Sequence, residues 1–192
     1  MIRFDYWFLK LRAMACLVFG QTRPALLTFD EMLRRWPADV YALGSRAHLH
    51  AQAQRVELAL ADSARLVEIQ PDNAHVWFNR GYLFELDQRW EEALQAFTRA
   101  TQLSPKLDRA WYGQGLVLIR LQRFDEAIAA LKRNTELQPM SPYGWYQLAR
   151  VHVDHHDPEA AVKIIRHLKG FEPKVAAQLE RETGLMTGLP AS

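Results

Sequence analysis

The sequence predicts an all-α protein in which helical hairpins stack into a solenoid, and three observations lead to this fold class. Prolines recur every 34 residues, at positions 37, 71, 105, 139 and 173, and a fixed period of this size is typical of stacked repeats. Within each period, apolar residues recur at offsets of three and four, which places them on one face of a helix. Alanine also recurs in register, at positions 25, 59, 93, 127 and 161.

The helical hairpin is clearest between residues 74 and 107. In its first half, Trp77, Gly81 and Phe84 share one helical face, with the glycine where another backbone must come close. In its second half the same spacing makes a small-large-small face: Ala93, Phe97 and Ala100. Pro105 ends the second helix, because it has no amide hydrogen and its ring clashes with the preceding turn.

The apolar N-terminal segment, residues 1–20, has two interpretations. It is apolar enough for a targeting or membrane segment, but Lys10 and Arg12 interrupt it and leave too few uncharged residues to span a bilayer. Three of its residues fall in the repeat register instead: Leu9, Ala13 and Cys16. We therefore favour the first helix of a first hairpin, followed by a turn at residues 20–24.

The later turns and the C-terminal end follow the same pattern. The remaining hairpins are predicted to turn near Gln54-Arg55, Gln88-Arg89, Gln122-Arg123 and residues 155–158. After them, residues 174–185 carry apolar Val175 and Leu179 with charges between, which favours a last helix that covers the end of the stack with a polar outer face. Residues 186–192 are expected to form a frayed tail.

One repeat of the chain resembles a known family. Seven residues match the tetratricopeptide repeat signature nearly residue for residue: Trp77, Gly81, Phe84, Ala93, Phe97, Ala100 and Pro105. The resemblance implies a right-handed α-α superhelix of about five helical hairpins plus a C-terminal capping helix. It implies a single solenoid domain over residues 1–192, with repeats 6–39, 40–73, 74–107, 108–141 and 142–175 and with the capping helix and tail at 176–192.

The packing that the signature predicts varies along the chain. Leu43 replaces the tryptophan in the second repeat, His50 stands where a large apolar residue is usual, and Ser63 replaces the phenylalanine. Arg46 and Arg80 stand where leucine is typical. Tryptophans at the signature position align in three repeats, and we expect all three to be largely buried: Trp77, Trp111 and Trp145.

Charge and cysteine content exclude several classes of protein. With 24 basic and 22 acidic residues the net charge is +2, which argues against a protein whose main task is to coat nucleic acid or a strongly anionic membrane. The single cysteine, Cys16, cannot form an internal disulfide, and its apolar neighbours indicate a small buried hydrophobe. We expect a cytoplasmic protein without stable membrane insertion.

The histidine-rich stretch at residues 152–157 is the best candidate for a metal site, because His152 and His156 are one helical turn apart with two aspartates nearby. However, His152 occupies the inward position equivalent to Phe84, so a core histidine beside a solvated turn explains the pattern. The sequence holds neither a glycine-rich phosphate loop nor a known nucleophile pattern. We therefore predict no enzymatic activity, no cofactor and no metal.

The resemblance also implies where a ligand binds. In the family, the first helices of the hairpins line the concave side of the superhelix, and applying their inward places here gives a peptide-binding groove: Tyr41, His48, His75, Phe78, Asn79, Tyr82, Arg109, Tyr112, Tyr146, Gln147 and Arg150. Glu85, Arg120 and Tyr143 occupy further equivalent places. Aromatic residues with arginine are typical of protein-binding surfaces, because flat rings give large contact area at low entropic cost.

Three functions stay open at this point. The first is a non-enzymatic scaffold that binds a peptide segment of a partner protein in the aromatic groove. The second is a chaperone-like holder of apolar secretion or membrane substrates, which Phe78, Tyr82, Tyr112 and Leu116 would favour. The third is an RNA-binding helical repeat, against which the strict period, the near-neutral charge and the few lysines weigh. The sequence names neither the partner nor the oligomeric state.

Overall fold

The structure, a computed structural model, describes residues 2–186, and the side chains from residue 4 onward. Over this range the chain forms eleven α-helices and no strand, which confirms the all-α fold class. The helices are α1 Ile2–Val18, α2 Thr22–Arg35, α3 Val40–Gln52, α4 Val56–Ile69, α5 Ala74–Leu86, α6 Trp90–Leu103, α7 Asp108–Arg120, α8 Phe124–Leu137, α9 Pro142–Asp154, α10 Pro158–Lys169 and α11 Pro173–Thr183. Apart from Met186, which lies beyond α11, the predicted tail falls outside the described residues.

The helices divide into two compact units. Unit 1 spans Met1–Gln88 and contains α1 to α5, and unit 2 spans Arg89–Ser192 and contains α6 to α11. Within each unit, every helix packs against the next one along the chain. In unit 2, α9 also contacts both α7 and α11. First helices of neighbouring hairpins therefore lie side by side in unit 2, and α11 takes the next place in that row.

The hairpin turns repeat one backbone conformation. Residues 20, 54, 88, 122 and 156 all have φ between 57° and 66°, and only the first of them is glycine. In the turn after α7, the amide of Arg123 donates to the carbonyl of Leu118 and the amide of Gln122 donates to that of Ile119. This pair of bonds is a Schellman motif, which satisfies the last carbonyls of the helix and fixes the left-handed residue. The later turns lie where they were predicted, whereas the first one is shorter than the predicted residues 20–24, because α2 begins at Thr22.

The signature tryptophans are largely buried, as expected, but none of them is completely buried. Each indole N–H donates to the carbonyl of the proline six residues earlier: Trp77 to Pro71 at 2.7 Å, Trp111 to Pro105 at 3.0 Å and Trp145 to Pro139 at 2.8 Å. These carbonyls lie in the loops that precede the first helices, at the surface. The ring edge must stay near the surface to reach them, and in return the indole holds the loop against the helix.

The core of each hairpin is built around small residues. All five in-register alanines are fully buried, at positions 25, 59, 93, 127 and 161. In unit 2, the Phe97 ring of α6 lies against Gly113 of α7, where an added Cβ would come within 2.7 Å of the ring. A Cβ added at Gly115 would come equally close to the side chain of Leu131 in α8. These contacts explain why glycine occupies both positions, because any side chain would displace a fully packed neighbour.

The arginine at position 46 is explained by an ion-pair network in unit 1. Arg46 makes two bonds to Asp62 of α4, with Nε–Oδ2 at 2.8 Å and Nη2–Oδ1 at 2.6 Å, and its Nη1 lies 2.6 Å from Asp30 of α2. Asp62 is only 3% exposed. These bonds raise the pKa of the Arg46 guanidinium further above its ordinary value. A charged bidentate pair therefore replaces the apolar contact that leucine would make.

Arg80 and Ser63 depart from the signature together. The Arg80 guanidinium donates to the Ser63 Oγ at 3.0 Å and to the Leu60 carbonyl at 3.3 Å. Its planar group also lies 4.8 Å from the centre of the Phe84 ring, a cation–π contact. Serine in place of phenylalanine is therefore matched by a polar partner on the next helix.

Two histidines occupy the inward position that Phe84 and Leu118 fill in other hairpins: His50 and His152. His152 is 7% exposed, and its Nδ1 lies 3.3 Å from Asp157 Oδ2 without hydrogen-bond geometry. Burial lowers the pKa of both imidazoles below the ordinary value. No group of three or more possible metal ligands occurs among the residues that the structure describes.

The free energy of unfolding is expected to fall as the pH falls below about 6.5. The reason is that these histidines have a lower pKa in the folded chain, so the unfolded chain binds more protons. Replacing His152 with leucine should reduce this loss, since leucine stands at the equivalent position 118. Thermal unfolding followed at neutral and at mildly acidic pH measures the effect. His155→Gln is the control, because His155 lies exposed in the turn. The same pH dependence in both variants would contradict the prediction.

Candidate functional site

The predicted groove residues all lie on first helices of hairpins, and they divide between the two units. Unit 1 carries Tyr41 and His48 on α3, and His75, Phe78, Asn79 and Tyr82 on α5. Unit 2 carries Arg109 and Tyr112 on α7, and Tyr146, Gln147 and Arg150 on α9. The two sets are described separately below.

In unit 2, a pocket of about 550 Å³ opens between α7, α9 and α11. It is lined by eight residues: Tyr112, Pro142, Tyr143, Tyr146, Gln147, Glu172, Val175 and Gln178. Three tyrosine rings and two side-chain amides thus surround one cavity. Three of the residues predicted for the groove lie here together, namely Tyr112, Tyr146 and Gln147.

The far wall of this pocket belongs to the C-terminal helix α11. The Tyr146 hydroxyl donates to Glu182 Oε2 at 2.6 Å, and Arg150 Nη1 donates to the same oxygen at 2.9 Å. Gln178 Nε2 donates to Glu182 Oε1 at 2.7 Å. The Tyr146 hydrogen bond, with those from Gln178 and Arg150, lowers the pKa of the Glu182 carboxyl, and the carboxylate in turn raises the pKa of Tyr146. Arg150 is therefore paired within the chain.

A second pocket of about 380 Å³ shares Tyr112 and Tyr143 with the first. It is otherwise lined by Asp108, Arg109, Asn134, Gln138 and Ser141. Asn134 is buried, and its amide nitrogen donates to the Asp108 carbonyl at 2.9 Å, which joins α8 to the start of α7. The two shared rings consequently separate an aromatic cavity from a more polar one.

Unit 1 holds a smaller pocket of about 130 Å³ between α3, α4 and α5. Three predicted groove residues line it, His48, Asn79 and Tyr82, beside Ser63 and apolar side chains. Tyr82 is half-exposed at the mouth. Tyr41 lines no pocket described for this unit and packs instead on the first hairpin, edge-on to Phe29 with ring centres 5.9 Å apart.

Two models of the family described as tetratricopeptide repeat match the chain, one over residues 11–74 and 61–108 and the other over residues 86–146. The chain belongs to the tetratricopeptide repeat family. The matches cover most of the predicted solenoid, and the periodic turns and buried alanines of this tetratricopeptide repeat protein agree with them.

Solved structures with the same fold include MamA, with 16% sequence identity and a TM-score of 0.80 over 97% of this chain and 98% of that chain. MamA from Desulfovibrio magneticus RS-1, from residue 41 to its end, has 19% identity and a TM-score of 0.79 over 92% and 96% of the two chains. YrrB, described as "a TPR protein with an unusual peptide-binding site", has 16% identity and a TM-score of 0.76 over 88% of each chain. No curated protein sequence matches this tetratricopeptide repeat protein.

Sequence reasoning missed the part that α11 plays at this site. Residues 174–185 were expected only to cover the end of the stack, whereas Glu172, Val175 and Gln178 line the pocket and Glu182 binds two predicted groove residues. A signal was present in the sequence, because Gln178 and Glu182 are four residues apart and so share one face of a helix.

Proposed function

We propose that this protein is a non-enzymatic protein–protein interaction scaffold, and that the pocket of unit 2 binds a peptide segment of a partner protein. The observation that supports this most strongly is the convergence of Tyr112, Tyr146 and Gln147 from two helices on one cavity of about 550 Å³. A cavity of this size accommodates a few side chains of a peptide, since ligand pockets commonly measure about 300–1,000 Å³.

The lining indicates which ligand chemistry fits. Rings of Tyr112, Tyr143 and Tyr146 offer flat apolar contact with little loss of side-chain freedom. The amides of Gln147 and Gln178 can both donate to and accept from the backbone of an extended peptide. We therefore propose an extended segment with an aromatic or aliphatic anchor that enters between the rings.

Charge makes a smaller contribution to the proposed recognition. Arg150 already binds Glu182, so this arginine is not offered to an acidic ligand, and Glu172 adds a carboxylate to the lining. An acidic residue of the peptide would therefore be disfavoured near Glu172.

Unit 1 is proposed to contribute a separate contact. Its pocket of about 130 Å³ holds one side chain at most, and Tyr82 presents a half-exposed ring at the mouth. His48 and Asn79 add hydrogen-bonding groups. We propose that this surface binds a second anchor of a partner and that its contribution is weaker than that of unit 2.

Tyr112→Ala is expected to weaken peptide binding by about 1–3 kcal/mol, because it removes the ring that borders both pockets of unit 2. The probe is a peptide selected on the wild-type protein from a random library displayed on phage, and calorimetry measures the affinity. Met140→Ala is the control, since Met140 is exposed on the same unit and lines neither pocket.

Full affinity in both Tyr112→Ala and Tyr143→Ala would contradict the proposed site. Titrations with the peptide and with a single-stranded oligoribonucleotide, each at low and high salt, test the alternative of RNA capture. Binding of a peptide through apolar anchors should change little with salt, whereas an RNA ligand should be lost steeply.

A further inference from the structure

Helix α1 is apolar on two opposite faces. One face packs against the core of unit 1 through Leu9, Ala13 and Cys16, which is the contact that the repeat-helix interpretation predicts. The other face is exposed, and it consists of Phe4, Trp7, Phe8, Leu11, Met14, Ala15 and Val18. Trp7 is 51% exposed and Leu11 is 61% exposed.

These seven residues form one uninterrupted apolar surface, which we call the α1 face. At about 100° per residue they fall within an arc of about 120°, and no charged residue lies inside that arc. The six large side chains among them are each 46–81% exposed. Large contiguous apolar patches on soluble proteins often mark interaction sites. The α1 face is therefore a candidate contact surface.

Basic residues border the α1 face on both sides. Lys10 lies on one edge, with its Nζ 5.3 Å from the centre of the Trp7 ring and 4.7 Å from that of Tyr41. Arg12 lies exposed on the other edge. The acidic residue of this helix, Asp5, lies on the same edge as Arg12 and is 3.7 Å from Arg35 of α2, which offsets its charge. The near-neutral charge of the whole chain thus coexists with a local excess of positive charge around the α1 face.

We infer that the α1 face docks on the surface of an anionic lipid bilayer, with α1 lying parallel to the membrane plane. Aromatic and aliphatic side chains would enter the headgroup region, while Lys10 and Arg12 would bind lipid phosphates at its two edges. The helix has 17 residues, and none of the described helices is long and apolar enough to cross a membrane. The proposed contact is therefore peripheral.

Charge argues against a second copy of the chain as the occupant. Lys10 and Arg12 flank the middle of the α1 face, so they would meet the same two residues of the other copy in a parallel or an antiparallel pairing. Like charges at the edge of an apolar contact oppose association, whereas anionic phosphates would favour it.

Flotation with lipid vesicles tests the inference. The protein should float with phosphatidylcholine vesicles that contain about 30% phosphatidylglycerol, and the bound fraction should fall in pure phosphatidylcholine and at high salt. Trp7→Gln combined with Leu11→Gln should lower the partition coefficient about tenfold or more. Both residues are exposed, so the fold should persist, and circular dichroism checks this. Met140→Gln, an exposed apolar residue of unit 2, should float like wild type.

Three results would overturn the inference. The first is a wild-type protein that stays with the unbound fraction on anionic vesicles. The second is equal flotation of the double variant and the wild type. The third is a wild-type dimer, seen by analytical ultracentrifugation, that the double variant does not form, while neither protein floats with vesicles. The α1 face would then bind a second copy of the chain.

Discussion

Replacing Phe97 with alanine is expected to lower the free energy of unfolding by about 3–5 kcal/mol. The side chain is 1% exposed, and its ring lies on Gly113 in the centre of the α6–α7 contact. Helical backbones on both sides hold the surrounding structure apart, so the space left by the ring cannot close fully. Urea unfolding monitored by circular dichroism measures the change.

The contact between Phe97 and Gly113 offers a matched control. Gly113→Ala alone should destabilise the protein, because the new Cβ would lie 2.7 Å from the ring. In the Phe97→Ala background the same Cβ points into the vacated space, so Gly113→Ala should recover part of the lost stability. Strictly additive effects of the two substitutions would contradict this packing.

Replacing Arg46 with leucine is expected to cost about 3–5 kcal/mol, although leucine is the residue that the signature favours there. The substitution leaves the 3%-exposed Asp62 carboxylate without the two bonds that Arg46 donates to it. A buried carboxylate without its cation carries an uncompensated desolvation cost, which exceeds the gain from burying leucine. Chemical denaturation of the purified variant measures the loss.

The double variant Arg46→Leu/Asp62→Ala separates charge from packing. It removes both members of the buried pair, so its stability should lie close to that of wild type. Asp30 also binds Arg46, but it is exposed and regains water when the arginine is lost. A double variant as unstable as Arg46→Leu alone would show that the cost comes from packing.

Much of the fold was predictable from the sequence because it is carried by spacing. The 34-residue period places Ala93, Ala127 and Ala161 at the same fully buried contact, and it places the turns where the structure has them. Spacing does not determine how far a ring turns toward solvent. The signature tryptophans are largely buried, but each keeps its indole N–H near the surface, where it binds a loop carbonyl, an interaction that periodicity does not encode.

The candidate site was predictable only in part. The resemblance to the family assigns Tyr112, Tyr146 and Gln147 to inward places, and the structure brings them to one cavity. The pairing of Arg150 with Glu182 joins residues 32 positions apart on α9 and α11, and α11 was expected only as a cover. The Arg46–Asp62 pair was not predicted, because the departure of Arg46 from the leucine of the signature does not reveal its partner.

The left-handed turns allow the number of repeats in such a chain to change during evolution. At residues 54, 88, 122 and 156 the side chain is glutamine or histidine, so main-chain bonds rather than glycine hold the conformation. A genetic duplication of residues 123–156 would place a second copy of residue 123 directly after residue 156. A left-handed turn residue would then be followed by residue 123, as residue 122 already is in this chain. Length can therefore change by whole repeats without inventing a new connection, and each copy is free to diverge at its surface.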